Sequence, residues 1–256
     1  MRTTVTPRAA VNAITLGTVG PILPTGTDER VAGFGVMGLP FRSGHYLAFR
    51  HFPASSFAPA YRSVWHRDPA GTWTFYATTP AEMSCSRYFS SATTVPAAQC
   101  DIVMTWTGPW SLAIRIPGLL EWTVDMIDTA VTRAMSRLGR SLPEWAWSNR
   151  AVLAGMGRVA GPLLGAGQLR LAGEAPNGQD FRVAPRQMWA VSRSTAVLAG
   201  VDLGEVAPLA EQSRLAEFRL PQRGLCVVGT ARFEVFDPTR HRPGTQTAVS
   251  ERLTSC

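Results

Sequence analysis

Short stretches in which apolar and polar residues alternate run through most of the chain, separated by turn residues. Alternation with a period of two is typical of half-buried β-strands, and the aromatic and β-branched residues enriched in these stretches favour strands as well. Single strands are predicted near 33–37, 45–52, 120–126, 187–193, 195–200 and 224–236. Together with three hairpins this makes about ten to twelve strands, the number expected for a barrel or a sandwich.

The three predicted hairpins are marked by Gly together with Pro, Asp or Asn at their turns. They cover 61–78, 101–116 and 168–183, and they turn at Asp68–Gly71, Gly108–Pro109 and Asn177–Gly178. The first of these turns has Pro and Gly where a type I turn favours them, and Asn-Gly is the strongest two-residue hairpin signal.

Counting outward from the first turn pairs His66 with Trp73 and Val64 with Phe75, which would place these four side chains on one face. This face is the more apolar one, so we expect it inside the barrel. Residues of the strand 45–52 alternate in the same way. One face carries His45, Leu47, Phe49 and His51, and the other carries Tyr46, Ala48, Arg50 and Phe52. The side chains predicted to line a ligand site are Val64, Trp73, Phe75, Leu47, Phe49 and Trp106.

A histidine on an apolar inner face has a lowered pKa and can serve as a neutral base or a hydrogen-bond donor. We therefore expect His66 as the first candidate, and His45 after it, to carry any acid–base chemistry. The alternative is a core histidine whose ring is satisfied by a backbone carbonyl. An inverted face assignment would bring Tyr61, Tyr76 or Arg87 to the site instead.

One stretch, 128–164, has the period of a helix. Asp128 is the expected N-cap of a first helix that ends at Gly139. Ser141 and Glu144 have the spacing of a capping box for a second helix. This helical hairpin interrupts an otherwise β chain and is expected to cover one end of the barrel.

The net charge of +7 is concentrated in the same stretch, where residues 130–170 contain six arginines and one acidic residue. Arg133, Arg137 and Arg140 share one helix side, and with Trp145 they match a surface that contacts anionic membranes. The alternative is a solvated basic face. No nucleic-acid-binding motif accompanies these arginines, which argues against a nucleic-acid partner.

Several classes of chemistry lack either the residues they require or a recognisable sequence motif. All 25 basic residues are arginine, so Schiff-base chemistry and a Walker-A phosphate grip are excluded. The four cysteines are widely scattered with no histidine at ligand spacing, which predicts no metal site. Neither a dinucleotide fingerprint nor a serine-hydrolase elbow is present, and we expect no cofactor. Without a compact apolar N-terminal run, the protein is expected to be cytoplasmic with free thiols.

The hairpin Val64–Tyr76 and the later hairpins resemble those of the lipocalin-like (calycin) barrels, over about 33–236 and in particular the carotenoid 1,2-hydratase type. The resemblance implies a lumen for a hydrophobic small molecule. We thus expect a mainly β, antiparallel barrel over 31–236, between a loosely ordered segment 1–30 and a polar tail 237–256. The expected ligand is a polyene, isoprenoid, polyketide or lipid, which is isomerised, hydrated or cyclised without a cofactor, or else carried unchanged to anionic membranes.

Overall fold

The computed structural model describes residues 5–15, 22–216 and 218–243. The strands are β1 Glu29–Pro40, β2 Tyr46–Ser55, β3 Tyr61–Arg67, β4 Trp73–Ala77, β5 Ala98–Gln99, β6 Val103–Trp106, β7 Ser111–Ile116, β8 Leu120–Ile127, β9 Ala172–Glu174, β10 Asp180–Leu198, β11 Val201–Asp202, β12 Arg214–Leu215, β13 Phe218–Arg219 and β14 Leu225–Phe233. The α-helices are α1 Pro7–Thr15, α2 Ser86–Phe89, α3 Ala130–Ser141, α4 Glu144–Ser148 and α5 Arg150–Leu164, and short 3₁₀ helices cover Ala81–Met83 and Ser90–Ala92.

Ten strands form one curled sheet in the order β5-β4-β3-β2-β1-β14-β10-β8-β7-β6, and β9 and β11 pair with β10. All pairs except β4 with β5 are antiparallel, which confirms the predicted class and strand number. In the described sheet the edge strands β5 and β6 do not pair with each other, so the sheet forms a half-barrel. The segments predicted as separate strands at 187–193 and 195–200 both belong to the long strand β10.

The concave side of the sheet is filled by a large apolar cluster. This cluster joins strands from both ends of the sheet order, such as Phe49 and Val64 with Leu112 and Trp122, and all four side chains are almost fully buried. Contact between strands so far apart in the order is possible only across the inside of the curl. The concave side is therefore a packed core.

The other, convex side of the sheet also carries buried residues, because helices and loops cover it. Trp65, Phe75 and Phe233 pack there against Tyr88 and Phe89 of α2. Near the middle of the sheet order, α3 packs on β10, and α5 lies beside β9. Both faces of the central strands are therefore buried, which explains why apolar residues occupy both alternating sets in β2 and β3.

The register predicted for the hairpin of β3 and β4 is wrong by one residue. Trp65 pairs with Phe75 and His66 with Thr74, because Asp68 lies opposite Thr72 and only Pro69–Gly71 forms the loop. Gly71, at a φ of +95°, takes the left-handed conformation that such three-residue loops require. A shift of one residue moves every side chain of one strand to the other face. Val64 and His66 accordingly face the concave core, whereas Trp73 and Phe75 face the convex side.

The helical insertion differs from its prediction in four ways. It contains three helices, since Asn149 ends α4 and caps α5 by accepting hydrogen bonds from two backbone amides. Thr129 rather than Asp128 caps α3, and Ser141 caps no helix. Gly139 does not end α3: a Cβ there would lie 2.6 Å from the Pro185 carbonyl oxygen, so glycine lets α3 approach β10. The insertion lies on the convex face of the sheet and not at one end of the barrel.

The N-terminal segment is more ordered than predicted, since α1 forms over Pro7–Thr15 and buries Ala10 and Val11 against the concave core. Residues 1–4 and 16–21 of that segment lie outside the described residues, as do 244–256 of the predicted tail. The described part of the tail folds back, and His241 is buried. No helix within the described residues has both the length and the apolar character needed to cross a bilayer.

Candidate functional site

A cavity of about 400 Å³ lies between the convex face of β1, β14 and β10 and the helices α3 and α5. Its walls are mainly aliphatic, aromatic and methionine side chains. The residues that define it on the sheet and on the helices are Val31, Gly33, Gly35, Met37, Arg50, Val183, Val227, Gly229, Met135, Leu138, Gly155, Met156 and Val159. A concave, largely apolar space of this size is typical of a small-molecule site.

Glycines form the floor of the cavity. Gly33 of β1 pairs with Gly229 of β14, and Gly35 lies two residues further along the same face. An added Cβ would lie 2.1 Å from the His51 carbonyl oxygen at Gly33 and 2.2 Å from that of Ala184 at Gly229. The backbones therefore approach closely at both positions, and the floor has no side chains where a ligand would rest.

The roof consists of flexible and small residues of the two helices. Met135 of α3 and Met156 of α5 are unbranched, polarisable side chains that adapt to ligands of different shape. At Gly155 an added Cβ would meet no atom within 4 Å, so the cavity extends to the helix backbone there. Leu138 and Val159, which are 44% and 59% exposed, form part of an apolar rim that is open to solvent.

Arg50 is the buried one of three arginines that line the cavity, the others being Arg170 and Arg219. It lies on β2, is 8% exposed, and its guanidinium stacks on the Trp65 ring at 3.9 Å. One terminal nitrogen donates a hydrogen bond to the Met37 sulfur at 3.1 Å, and the other, Nη1, is buried without a partner. Gly35 makes room for the side chain, since a Cβ there would lie 3.3 Å from the Arg50 Cγ.

Neutral groups surround Arg50. The Tyr61 hydroxyl and the Cys85 thiol are hydrogen-bonded at 3.2 Å, and burial raises the pKa of both. The Tyr46 hydroxyl, whose pKa burial also raises, accepts a hydrogen bond from the Gly38 amide and donates one to the Pro221 carbonyl. These groups stay protonated at neutral pH and leave the charge of Arg50 uncompensated.

The structure brings the two predicted catalytic histidines together, but away from the cavity. His45 Nδ1 and His66 Nε2 are 2.8 Å apart and their rings are stacked. Burial, and then the neighbouring His45, lowers the pKa of His66 to about 4, and burial lowers that of His45. His66 lies on the concave face with Val64, so the sheet separates the pair from the cavity.

None of the six predicted ligand contacts lines the cavity. Leu47, Phe49, Val64 and Trp106 belong to or pack against the concave core, and Trp73 and Phe75 belong to the convex cluster that packs on α2. The predicted lumen is the side that the protein fills with its own side chains. The space for a guest is on the opposite face.

Arg133, Arg137, Arg140 and Trp145 of the predicted basic surface are all exposed, and Arg133 also forms an ion pair with Asp128 at 3.5 Å. Contact of this surface with anionic membranes stays a prediction. Arg137 flanks Leu138 in sequence and therefore lies close to the rim of the cavity.

Sequence reasoning missed Arg50 and the glycine floor. Two signals were available: Gly33 and Gly35 alternate on one face of a strand, and Arg50 interrupts an apolar strand that is buried on both faces. Neither identifies a site until the strand order places them together. Among the described residues no group of three or more His, Cys, Asp or Glu side chains has a geometry that would hold a metal ion.

No family model and no curated protein matches this chain. Two solved structures are similar to it over most of their length, and both are of acetoacetate decarboxylases. The structure from Legionella pneumophila subsp. pneumophila str. Philadelphia 1 has a TM-score of 0.38 and 9% identity, covering 88% of this chain and 89% of that one. The other has a TM-score of 0.42 and 8% identity, covering 91% and 94%. Neither is a carotenoid hydratase, so the resemblance to that type stays a prediction.

Proposed function

We propose that the protein binds a hydrophobic small molecule in the cavity between the convex face of the sheet and the helices α3 and α5. The observation that carries this proposal is the cavity itself, with about 400 Å³ of space and apolar walls. An empty apolar space of this size forgoes the dispersion contacts of its lining, and a guest that fills it recovers them.

Two further features support a binding role. Methionines in the roof let one site accept guests of different shape. The helices that form the roof are joined to each other through short segments, 142–143 and residue 149, and each helix contacts the sheet only along one side. The roof can therefore shift without disturbing the concave core.

The cavity favours binding over chemical change. Besides the arginines Arg50, Arg170 and Arg219, the ionisable side chains that line it are Cys85 and Tyr88, and burial raises the pKa of both so that they stay protonated. The histidine pair lies on the other side of the sheet. We therefore propose a carrier or sensor of the guest, and the isomerase, hydratase or cyclase activity remains a prediction.

Filling the cavity from its roof tests the proposal. Nile red, an uncharged apolar dye, should bind the natural protein with a rise in fluorescence. Gly155→Leu places a side chain where a Cβ has no neighbour within 4 Å and should abolish that rise. Ala151→Leu on the exposed side of the same helix is the matched control and should leave it intact. Equal dye binding by both variants would refute the location, and no binding to the natural protein would refute the proposal.

A second candidate function is delivery of the guest to or from anionic membranes. The rim residues Leu138 and Val159 and the nearby Leu163 are exposed apolar side chains, and Arg137 and Arg158 stand beside them. Apolar side chains that enter the interface, ringed by arginines that meet anionic headgroups, are typical of a peripheral membrane surface.

Vesicle flotation tests the second candidate. Vesicles of phosphatidylglycerol and phosphatidylcholine should carry the protein upward at low salt and much less at high salt, because salt screens the arginine contribution. Arg137→Gln with Arg140→Gln should weaken flotation, whereas Arg42→Gln, on the loop after β1, should not. Flotation that is equal on uncharged vesicles would contradict an electrostatic docking surface.

A further inference from the structure

Arg50 is a buried charge without a counter-ion. Within the described part of the chain no carboxylate lies within 4.0 Å of its guanidinium, and the groups that act on it electrostatically are Cys85, Tyr46 and Tyr61. Burial lowers the pKa of Arg50, but an arginine side chain remains charged at neutral pH. A buried charge that is not paired is strongly unfavourable, and proteins rarely keep one without a use.

The position of Arg50 directs its guanidinium toward the cavity. The side chain lines the cavity, and its Nη1 is a hydrogen-bond donor that is buried and unpartnered. The Trp65 ring holds one face of the guanidinium and the Met37 sulfur takes the other terminal nitrogen. These contacts fix the orientation of the guanidinium and leave one donor free. An orphaned, preoriented donor with a full positive charge is complementary to a carboxylate.

The remainder of the cavity is complementary to an apolar tail. Between Arg50 and the rim at Leu138 and Val159 the walls are mainly aliphatic, aromatic and methionine side chains with a glycine floor, and the more exposed Arg170 and Arg219 also contribute to the lining. A guest that fills this space has its charged end inside and its apolar end toward the rim. This arrangement fits an amphiphilic ligand that binds with its polar group innermost.

We propose that the guest is an apolar organic acid, such as a fatty or isoprenoid acid, and that Arg50 binds its carboxylate at the inner end of the cavity. This inference rests on the proposed function, because it names the chemical class of the guest for that same cavity. Charge-assisted hydrogen bonds in a desolvated site are stronger than neutral ones, so the acid should bind more tightly than an alcohol of equal length.

Calorimetric titration of the natural protein with decanoic acid and with decanol tests the inference. The acid should bind roughly 10- to 100-fold more tightly than the alcohol, as expected for hydrogen bonds to a charged group. Arg50→Met should remove this preference while leaving the affinity for decanol within about threefold. Arg62→Gln, on the adjacent strand but on the concave face, is the matched control and should keep the preference.

Arg50→Met also has an expected effect without any guest. Because it replaces an unpaired buried charge by an apolar side chain of similar length, it should raise the Tm of the ligand-free protein. A lower Tm together with loss of both affinities would show a structural role and overturn the inference. If the variant does not fold, the comparison of decanoic acid with decanol on the natural protein still tests whether the cavity prefers a carboxylate.

The outcomes separate this inference from the proposed function. If decanol and decanoic acid bind equally well, the cavity binds apolar guests but Arg50 does not select acids, and only this inference is overturned. If neither binds, nor Nile red, both fail. If Arg62→Gln loses the preference as fully as Arg50→Met, the selectivity comes from overall positive charge, and the assignment to Arg50 is overturned.

Discussion

Gly155 offers a sharp test of how α5 sits over the sheet. It lies in the interior of the helix, and a Cβ added there meets no atom within 4 Å. Alanine is about 1 kcal/mol more favourable than glycine inside a helix. Gly155→Ala should therefore raise the free energy of unfolding by about 1 kcal/mol, or roughly 2–4 °C in Tm for a chain of this size.

Gly157 of the same helix provides the matched contrast. An added Cβ there would lie 2.5 Å from the carbonyl oxygen of Leu169. That atom belongs to the backbone, so the helix or the strand-side segment must move, and overpacking of this kind costs about 1–3 kcal/mol. After the gain in helix propensity, Gly157→Ala should lower the free energy of unfolding by about 1 kcal/mol.

Urea and thermal unfolding followed by far-UV circular dichroism would measure both variants against the natural protein. The expected result is a pair of shifts of opposite sign from the same substitution, two residues apart. Shifts of the same sign would refute the described packing of α5, because helix propensity alone predicts a gain at both positions.

Lowering the pH should destabilise the protein through His66, whose folded pKa of about 4 lies below the ordinary 6.5, so that stability present above pH 6.5 is lost as pH falls toward 4. His66 accounts for about 3 kcal/mol of this loss, and His66→Gln should reduce the pH dependence of urea unfolding in that window. Some dependence should remain, because burial also lowers the pKa of His51 to about 4. Asn149→Ala removes the N-cap of α5 and should cost about 1 kcal/mol, while Ser141→Ala, which removes no cap, should leave the urea midpoint nearly unchanged. Ser194→Ala leaves the buried Trp122 indole N–H without its acceptor at 2.8 Å and should cost about 1–3 kcal/mol; an unchanged Tm would contradict this.

The strands were predictable because alternation and turn residues are local properties of the sequence. Each predicted hairpin forms, and Gly178 takes the left-handed conformation expected after Asn177. The register of the first hairpin was not predictable from the turn residues alone, since the sequence over Asp68–Thr72 suits both a four-residue turn and a three-residue loop with a bulge. The choice between them decides which face Trp73 and Phe75 occupy.

The cavity was not predictable for a different reason. Arg50 and Gly229 are separated by 179 residues, and only the order of strands brings β2, β1 and β14 side by side. The sequence does show that both alternating sets in β2 are mainly apolar, with Arg50 and His51 as polar residues in the middle of the strand, which indicates a strand covered on both faces. It does not show which face is packed by the protein itself and which is left for a guest.

Because β2 is covered on both faces, neighbouring residues of this strand affect different properties of the protein. Phe49 and His51 point into the packed concave core, where a change of side-chain shape lowers folding stability. Arg50 lies between them and lines the cavity, where a change alters ligand binding. Selection for a new guest can thus act on every second position and leave the intervening ones alone. In a library of β2 variants, substitutions that impair folding and substitutions that change ligand preference should therefore fall at alternating positions.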